Sequence, residues 1–137
     1  IKDFRGLMLK PEAVAFLAVQ SGEIAGFTLG YSVSREELRV IAGNNLMDQL
    51  FEKHDRVFYI GELGGAAQYR GRRISLALTS ALIQAAEASE LKAIVLRTHT
   101  KAHVARHVYE KLAFVELDVH DAKYPERTYW LLEVDHE

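Results

Sequence analysis

Three arginines, Arg70, Arg72 and Arg73, crowd around Gly71 in the stretch YRGRRIS, and an apolar periodicity begins at Ile74, which puts them at the start of a helix. Unpaired main-chain N–H groups and the positive end of the helix dipole meet there, so an anion is favoured and cations are not. A solvated basic face is the plain alternative, but without an anion each guanidinium adds to the positive helix end. A diphosphate would find both main-chain donors and cationic partners. His99, His103 and His107 recur every fourth residue, a spacing that lines one helix face and superficially suggests zinc. No fourth ligand is evident and His99 falls ahead of the helix, so a solvated histidine face is the better reading and no metal is expected.

The elements that must hold the basic turn are legible around it. Val57 to Leu63 is rich in β-branched and aromatic residues, and Gly64 and Gly65 then interrupt it, which predicts a strand that loosens or bulges at its end and offers main-chain groups to a ligand. Ile74, Ala77, Leu78, Ala81, Leu82 and Ala85 predict an amphipathic helix from roughly Arg73 to Ser89. The continuous apolar run Ala93 to Thr98 then reads as a buried strand, parallel to Val57–Leu63 through a βαβ crossover. Upstream, Ala13–Val19 and Ile24–Val33 flank hairpin punctuation at Gln20-Ser21-Gly22-Glu23. Ser34 and Glu37 form a capping box for a short helix that Gly43 stops, and Met47, Leu50, Phe51 and His54 predict a second short helix. Downstream, Val104, Val108 and Leu112 mark a helix, and Phe114–Val119 and Arg127–Val134 are two last strands around a polar loop with Pro125.

With 137 residues, 49% of them hydrophobic, the chain suits one compact domain, and nothing in it suggests disorder. The net charge of −2 leaves no basic footprint of the kind that nucleic-acid or anionic-membrane binding requires, so neither is expected as a partner. There is no cysteine, which excludes disulfides, thiolate metal sites and a cysteine nucleophile, and fits a cytoplasmic protein. No signal-peptide pattern or long apolar run is present.

The order GELGGAAQYRGRRIS, long helix, AIVLRTHT, then HVARHVYEKLAF resembles the GNAT superfamily of acyl-CoA-dependent N-acetyltransferases over about residues 13 to 134. The resemblance implies an α/β fold with a mixed, mainly antiparallel central sheet, a splayed parallel pair of central strands, and flanking helices. It implies acetyl-CoA as co-substrate, with the amides and side chains of Arg70, Gly71, Arg72, Arg73, Ile74 and Ser75 at its pyrophosphate and the strand end Leu63, Gly64 and Gly65 along its pantetheine arm. A main-chain N–H of that strand end would polarise the thioester carbonyl. The family's first strand and following helix or helices have no counterpart before Ala13, and the chain starts at Ile1, so N-terminal elements are expected to be missing.

The segment VARHVYEKLAF matches the pattern in which a tyrosine, here Tyr109, serves as general acid toward the leaving thiolate. By spacing alone Tyr109 reads as a half-buried aromatic beside Ala105. A phenol with a pKa of about 10 is protonated at neutral pH and can donate without tuning. Glu62 resembles the strand glutamate that several family members use as base, and an outward-facing carboxylate is the equal alternative. Tyr31 and Tyr59 are acceptor-pocket candidates that core packing explains as well. Lys101 and Arg106 are candidates for the adenosine phosphate.

The sequence departs from the family at Arg73 and Ser75, where the loop has small residues, at Ala102, where asparagine is frequent, and at Ala113, where the Gly-Phe pair has glycine. Two readings follow: transfer of acetyl to a primary amine by direct attack, or an acyl-CoA-binding regulatory module that has drifted from catalysis. Glu36, Glu37, Asp48 and Glu52 suggest a cationic acceptor or simply a solvated helix face. Whether that acceptor is a small molecule or a peptide, and whether the chain forms a homodimer, stay open.

Overall fold

The computed structural model describes residues 9–65 and 72–134, with the backbone alone at 62–65 and at 72. Val14–Gln20 (β1) and Glu23–Val33 (β2) form the predicted antiparallel hairpin. It turns through Ser21 and Gly22, both at positive φ (53° and 79°), the backbone that matches the right-handed twist of paired strands.

Arg35–Ala42 (α1) follows, opened by the expected capping box: the Glu37 N–H donates to Ser34 Oγ at 3.2 Å and the Ser34 N–H to Glu37 Oε1 at 3.0 Å. Gly43 ends it at φ 76°, where a Cβ would also sit 2.8 Å from Ala122 Cβ. The second short helix predicted from Met47, Leu50, Phe51 and His54 is instead a 3₁₀ segment, Asp48–Glu52. Met47 offers no side-chain cap, and so short a piece cannot offset the cost of nucleating an α-helix, although Leu50 and Phe51 still pack on the core.

Val57–Gly65 (β3) runs two residues past the predicted Leu63, pairing antiparallel with β2 as far as Gly65 opposite Gly26. The expected bulge falls earlier than the Gly64-Gly65 pair: Ile60 faces Gly30 and Glu62 faces Leu29, which leaves Gly61 over. Arg72–Ala88 (α2) and Ala93–His99 (β4) complete the crossover. His103–Lys111 (α3), Val115–His120 (β5) and Arg127–Glu133 (β6) close the chain. Among the described residues the sheet order is β1-β2-β3-β4-β6-β5, with β3 and β4 the one parallel pair.

Strand alternation sends side chains to two cores. On one face Leu29, Tyr31, Val57, Tyr59, Val95 and Tyr129 pack with Leu38 and Ala42 of α1. On the other Phe58, Ile60, Ile94, Leu96 and Trp130 pack with Leu82 and Ala86 of α2 and Val108 and Tyr109 of α3. Gly30 lies against the Phe58 ring, which would have to shift to admit a Cβ there.

Candidate active site

The parallel pair is short. β3 and β4 share register only at Phe58–Ile94 and Tyr59–Val95, because from there each stays with its other neighbour: β3 with β2 through Gly65, and β4 with β6 from Ala93–Glu133 through His99–Arg127. The strands therefore part beyond Tyr59 and Val95. A cleft of about 470 Å³ opens in the gap, walled by Ile60 and Gly61 of β3, Leu96 to His99 of β4, and Ala102, Ala105 and Tyr109 at α3.

Tyr109 sits in this cleft with its ring 5.8 Å from Phe114 and 6.1 Å from Trp130. It is 4% exposed, and burial pushes its hydroxyl up to about 12. No hydrogen-bond partner for that hydroxyl exists among the described residues. A buried phenol with no partner among the described residues stays protonated at neutral pH.

Glu62, Leu63, Gly64 and Gly65 lie on β3 beyond the parting, paired on their β2 side with Leu29, Thr28, Phe27 and Gly26 and with no register to β4. The loosening predicted for this strand end is thus one-sided. Arg70 and Gly71 lie outside the described residues. Arg72 opens α2 and Arg73 follows it on the surface. Arg73 does not sit alone: with Leu76 of α2 and His107, Val108 and Lys111 of α3 it lines a second hollow of about 310 Å³. Ile74 is half-buried, and the Ser75 hydroxyl is buried with no partner among the described residues. The hollow bearing Arg73, His107 and Lys111 beside the first turn of α2 would suit an anionic carrier such as coenzyme A, whose phosphates could take donors there.

The histidines do not share one face: His99 is on β4, where its Nδ1 accepts from the Lys101 N–H at 3.0 Å, while His103 and His107 are on α3. Arg106 is engaged elsewhere than expected, paired twice with Glu116 at 2.8 Å and stacked 5.1 Å over Trp130. Three of the four acidic residues considered for a cationic acceptor are also engaged, Glu36 with Arg35, Glu37 with Ser34 and Arg56, and Asp48 with Arg39, whereas Glu52 has no ion pair among the described residues. Tyr31 and Tyr59 stack edge-on at 5.9 Å in the core, and Tyr59 reaches the cleft as well.

What the sequence reading missed is a charged knot behind the cleft. Arg97 donates to Asp121 Oδ1 at 2.7 Å and to the Ile41 carbonyl at 3.3 Å, and the Tyr129 hydroxyl donates to the same Asp121 oxygen at 2.7 Å. Asp121 Oδ2 accepts the Lys123 and Tyr124 N–H groups at 3.0 and 2.9 Å. Burial alone would raise the Asp121 carboxyl, but Tyr129, the Tyr124 N–H and Arg97 together hold it below its ordinary value. The signal was an arginine inside an otherwise apolar strand, AIVLRT, since a charge in a buried run needs a partner.

Residues 1–114 match the acetyltransferase (GNAT) family, and the chain belongs to it. No curated protein matches the sequence. Among solved structures, Arabidopsis thaliana NAA60 in complex with a bisubstrate analogue superposes with a TM-score of 0.68 at 18% identity, covering 91% of this chain and 77% of that one. The ribosomal-protein alanine N-acetyltransferase of Escherichia coli gives 0.65 at 16%, covering 99% and 77%. A GNAT-family acetyltransferase of Streptococcus pneumoniae gives 0.66 at 18%, covering 96% and 72%. At these identities the likeness is one of fold.

Proposed function

We propose that the protein is an acetyl-CoA-dependent N-acetyltransferase that moves the acetyl group to a primary amine by direct attack. The observation that carries this reading is the position of Tyr109, whose hydroxyl has no partner among the described residues and borders the gap between β3 and β4. NAA60 has also been captured with acetyl-CoA, on a fold that this chain shares with a TM-score of 0.61 and 19% identity, covering 88% of this chain and 74% of that one.

The donor lies along the unpaired edge of β3, with its diphosphate at the start of α2 between Arg70 and Ser75. The amine enters the gap, and its lone pair bonds to the thioester carbonyl carbon. A main-chain N–H between Leu63 and Gly65 bears the developing oxyanion. The C–S bond then breaks, the sulfur takes its proton from Tyr109, and Glu62 accepts the proton lost by the nitrogen. No enzyme-bound acyl group forms, in keeping with a chain that has no cysteine.

The reading is tested by calorimetry with acetyl-CoA together with thiol release over a panel of primary amines. Saturable binding and amine-dependent release are expected. Binding without release on any amine would instead assign the drifted binding module, and no binding would remove both.

A further inference from the structure

We propose that the acceptor is an amine that also carries an oxyanion, a carboxylate or a phosphate, and that Arg127 selects it. This rests on the acetyltransferase reading, since it assigns the acceptor to the side of the cleft away from α2 and α3.

Strand alternation sorts the cleft walls. Leu96 and Tyr109 belong to the face covered by α2 and α3. Tyr59 and Tyr129 belong to the opposite face, and Arg97, His99 and Arg127 share the parity of Val95 and Tyr129 on their strands. The cleft is therefore open to two different chemistries, one mainly apolar with the hydroxyl residues Thr98 and Tyr109, the other basic. Among the described residues that line it there is no carboxylate.

The two arginines differ. Arg97 is neutralised by Asp121, and Asp121 is itself fully engaged by Arg97, Tyr129 and two main-chain N–H groups. Arg127 has no ion pair and no side-chain hydrogen bond among the described residues. Its guanidinium lies 4.7 Å over the Tyr124 ring, half-buried, in the wall of the cleft. The ring fixes the plane of the fork but supplies no countercharge, so a partly desolvated cation is held ready for a bidentate oxyanion. Its field is felt across the gap at Tyr59, whose hydroxyl burial raises while Arg97 and Arg127 pull it back. The same positive field favours the neutral, nucleophilic form of an amine in the cleft. An acceptor with an oxyanion at one end and an amine at the other meets both conditions.

The test uses the full chain and matched acceptors: α-amino acids against their amides, and phosphoethanolamine against ethanolamine, in the thiol-release assay. The oxyanion-bearing member should be favoured about tenfold or more, through KM. In Arg127→Gln that ratio should collapse toward one, and Arg127→Lys should restore part of it. Which pair shows the larger ratio separates carboxylate from phosphate. Calorimetry with the N-acetylated products of the same pairs reads the selectivity without turnover. Equal use of charged and neutral members, or a preference that survives Arg127→Gln, overturns the proposal. Absent thiol release with product binding that still depends on the oxyanion and on Arg127 would overturn the acetyltransferase reading, and with it the acceptor assignment, while keeping Arg127 as an oxyanion site.

Discussion

The two faces of the parted strands are built on opposite terms. On the side of α2 and α3 the cleft presents Leu96, Ile60 and Thr98 of the sheet and the ring of Tyr109 from α3, a mainly apolar wall in which the Tyr109 hydroxyl has no partner among the described residues. On the side of α1 lies a knot of Arg97, Asp121 and Tyr129 in which every charge is answered, and beside it Arg127, which has no ion pair among the described residues. The contrast teaches that polar groups in a core are either satisfied and structural or unsatisfied and available. On the proposed reading, the knot holds the cleft's shape and Tyr109 and Arg127 supply its chemistry.

Breaking the structural side should have the largest effect. Asp121→Ala strands Arg97 against the core and removes the acceptor of Tyr129, so unfolding should lose about 3–5 kcal/mol, read by urea denaturation. The pH dependence follows from the same group. Its folded pKa lies below the ordinary 3.8, so its contribution is complete above the ordinary carboxylate range and is lost as pH falls through and below that value. Wild type should lose stability between about pH 5 and 3 more steeply than Asp121→Asn, followed by thermal melts across that range.

Tyr109→Phe tests the other side. Turnover should fall by about 10²-fold with acetyl-CoA affinity unchanged, while stability stays within about 0.5 kcal/mol because the hydroxyl has no hydrogen bond to lose among the described residues. A large stability loss with normal turnover would move Tyr109 to the structural class and erase the contrast. With its hydroxyl pushed up to about 12, Tyr109 should add no alkaline limb to kcat below pH 10. A limb near pH 9 that disappears in the phenylalanine variant would contradict its burial.

The smallest effect sharpens the frame. Ala113 holds φ 74° just past α3, a left-handed position at which the family has glycine. Ala113→Gly should stabilise the fold by about 1 kcal/mol, seen as a raised Tm, without altering the preference of the cleft.

Much of this was open to a reader of the chain. The capping box at Ser34 and Glu37 and the hairpin at Ser21 and Gly22 are local, and local rules placed them. The long helix and its two flanking strands followed from periodicity to within a residue or two at their ends. The 3₁₀ segment at Asp48–Glu52 did not, since apolar spacing cannot tell one turn of α-helix from its tighter relative. Tyr109 was found through its motif and not through its surroundings, because burial and a missing partner are properties of neighbours distant in sequence. Arg127 was passed over for the same reason: nothing near it in the chain says whether an anion meets it.

The sequence by itself determined the order of the elements, the family, and which residue types stand at the ends of β3 and β4, because those depend on contacts a few residues long. Only the tertiary structure decided where the parallel pair gives way and which of two arginines Asp121 neutralises. Those outcomes turn on a contest between neighbours: β2 keeps β3, β6 keeps β4, and Asp121, packed from a separate loop, reaches Arg97 while Arg127, in the cleft wall, has no ion pair among the described residues.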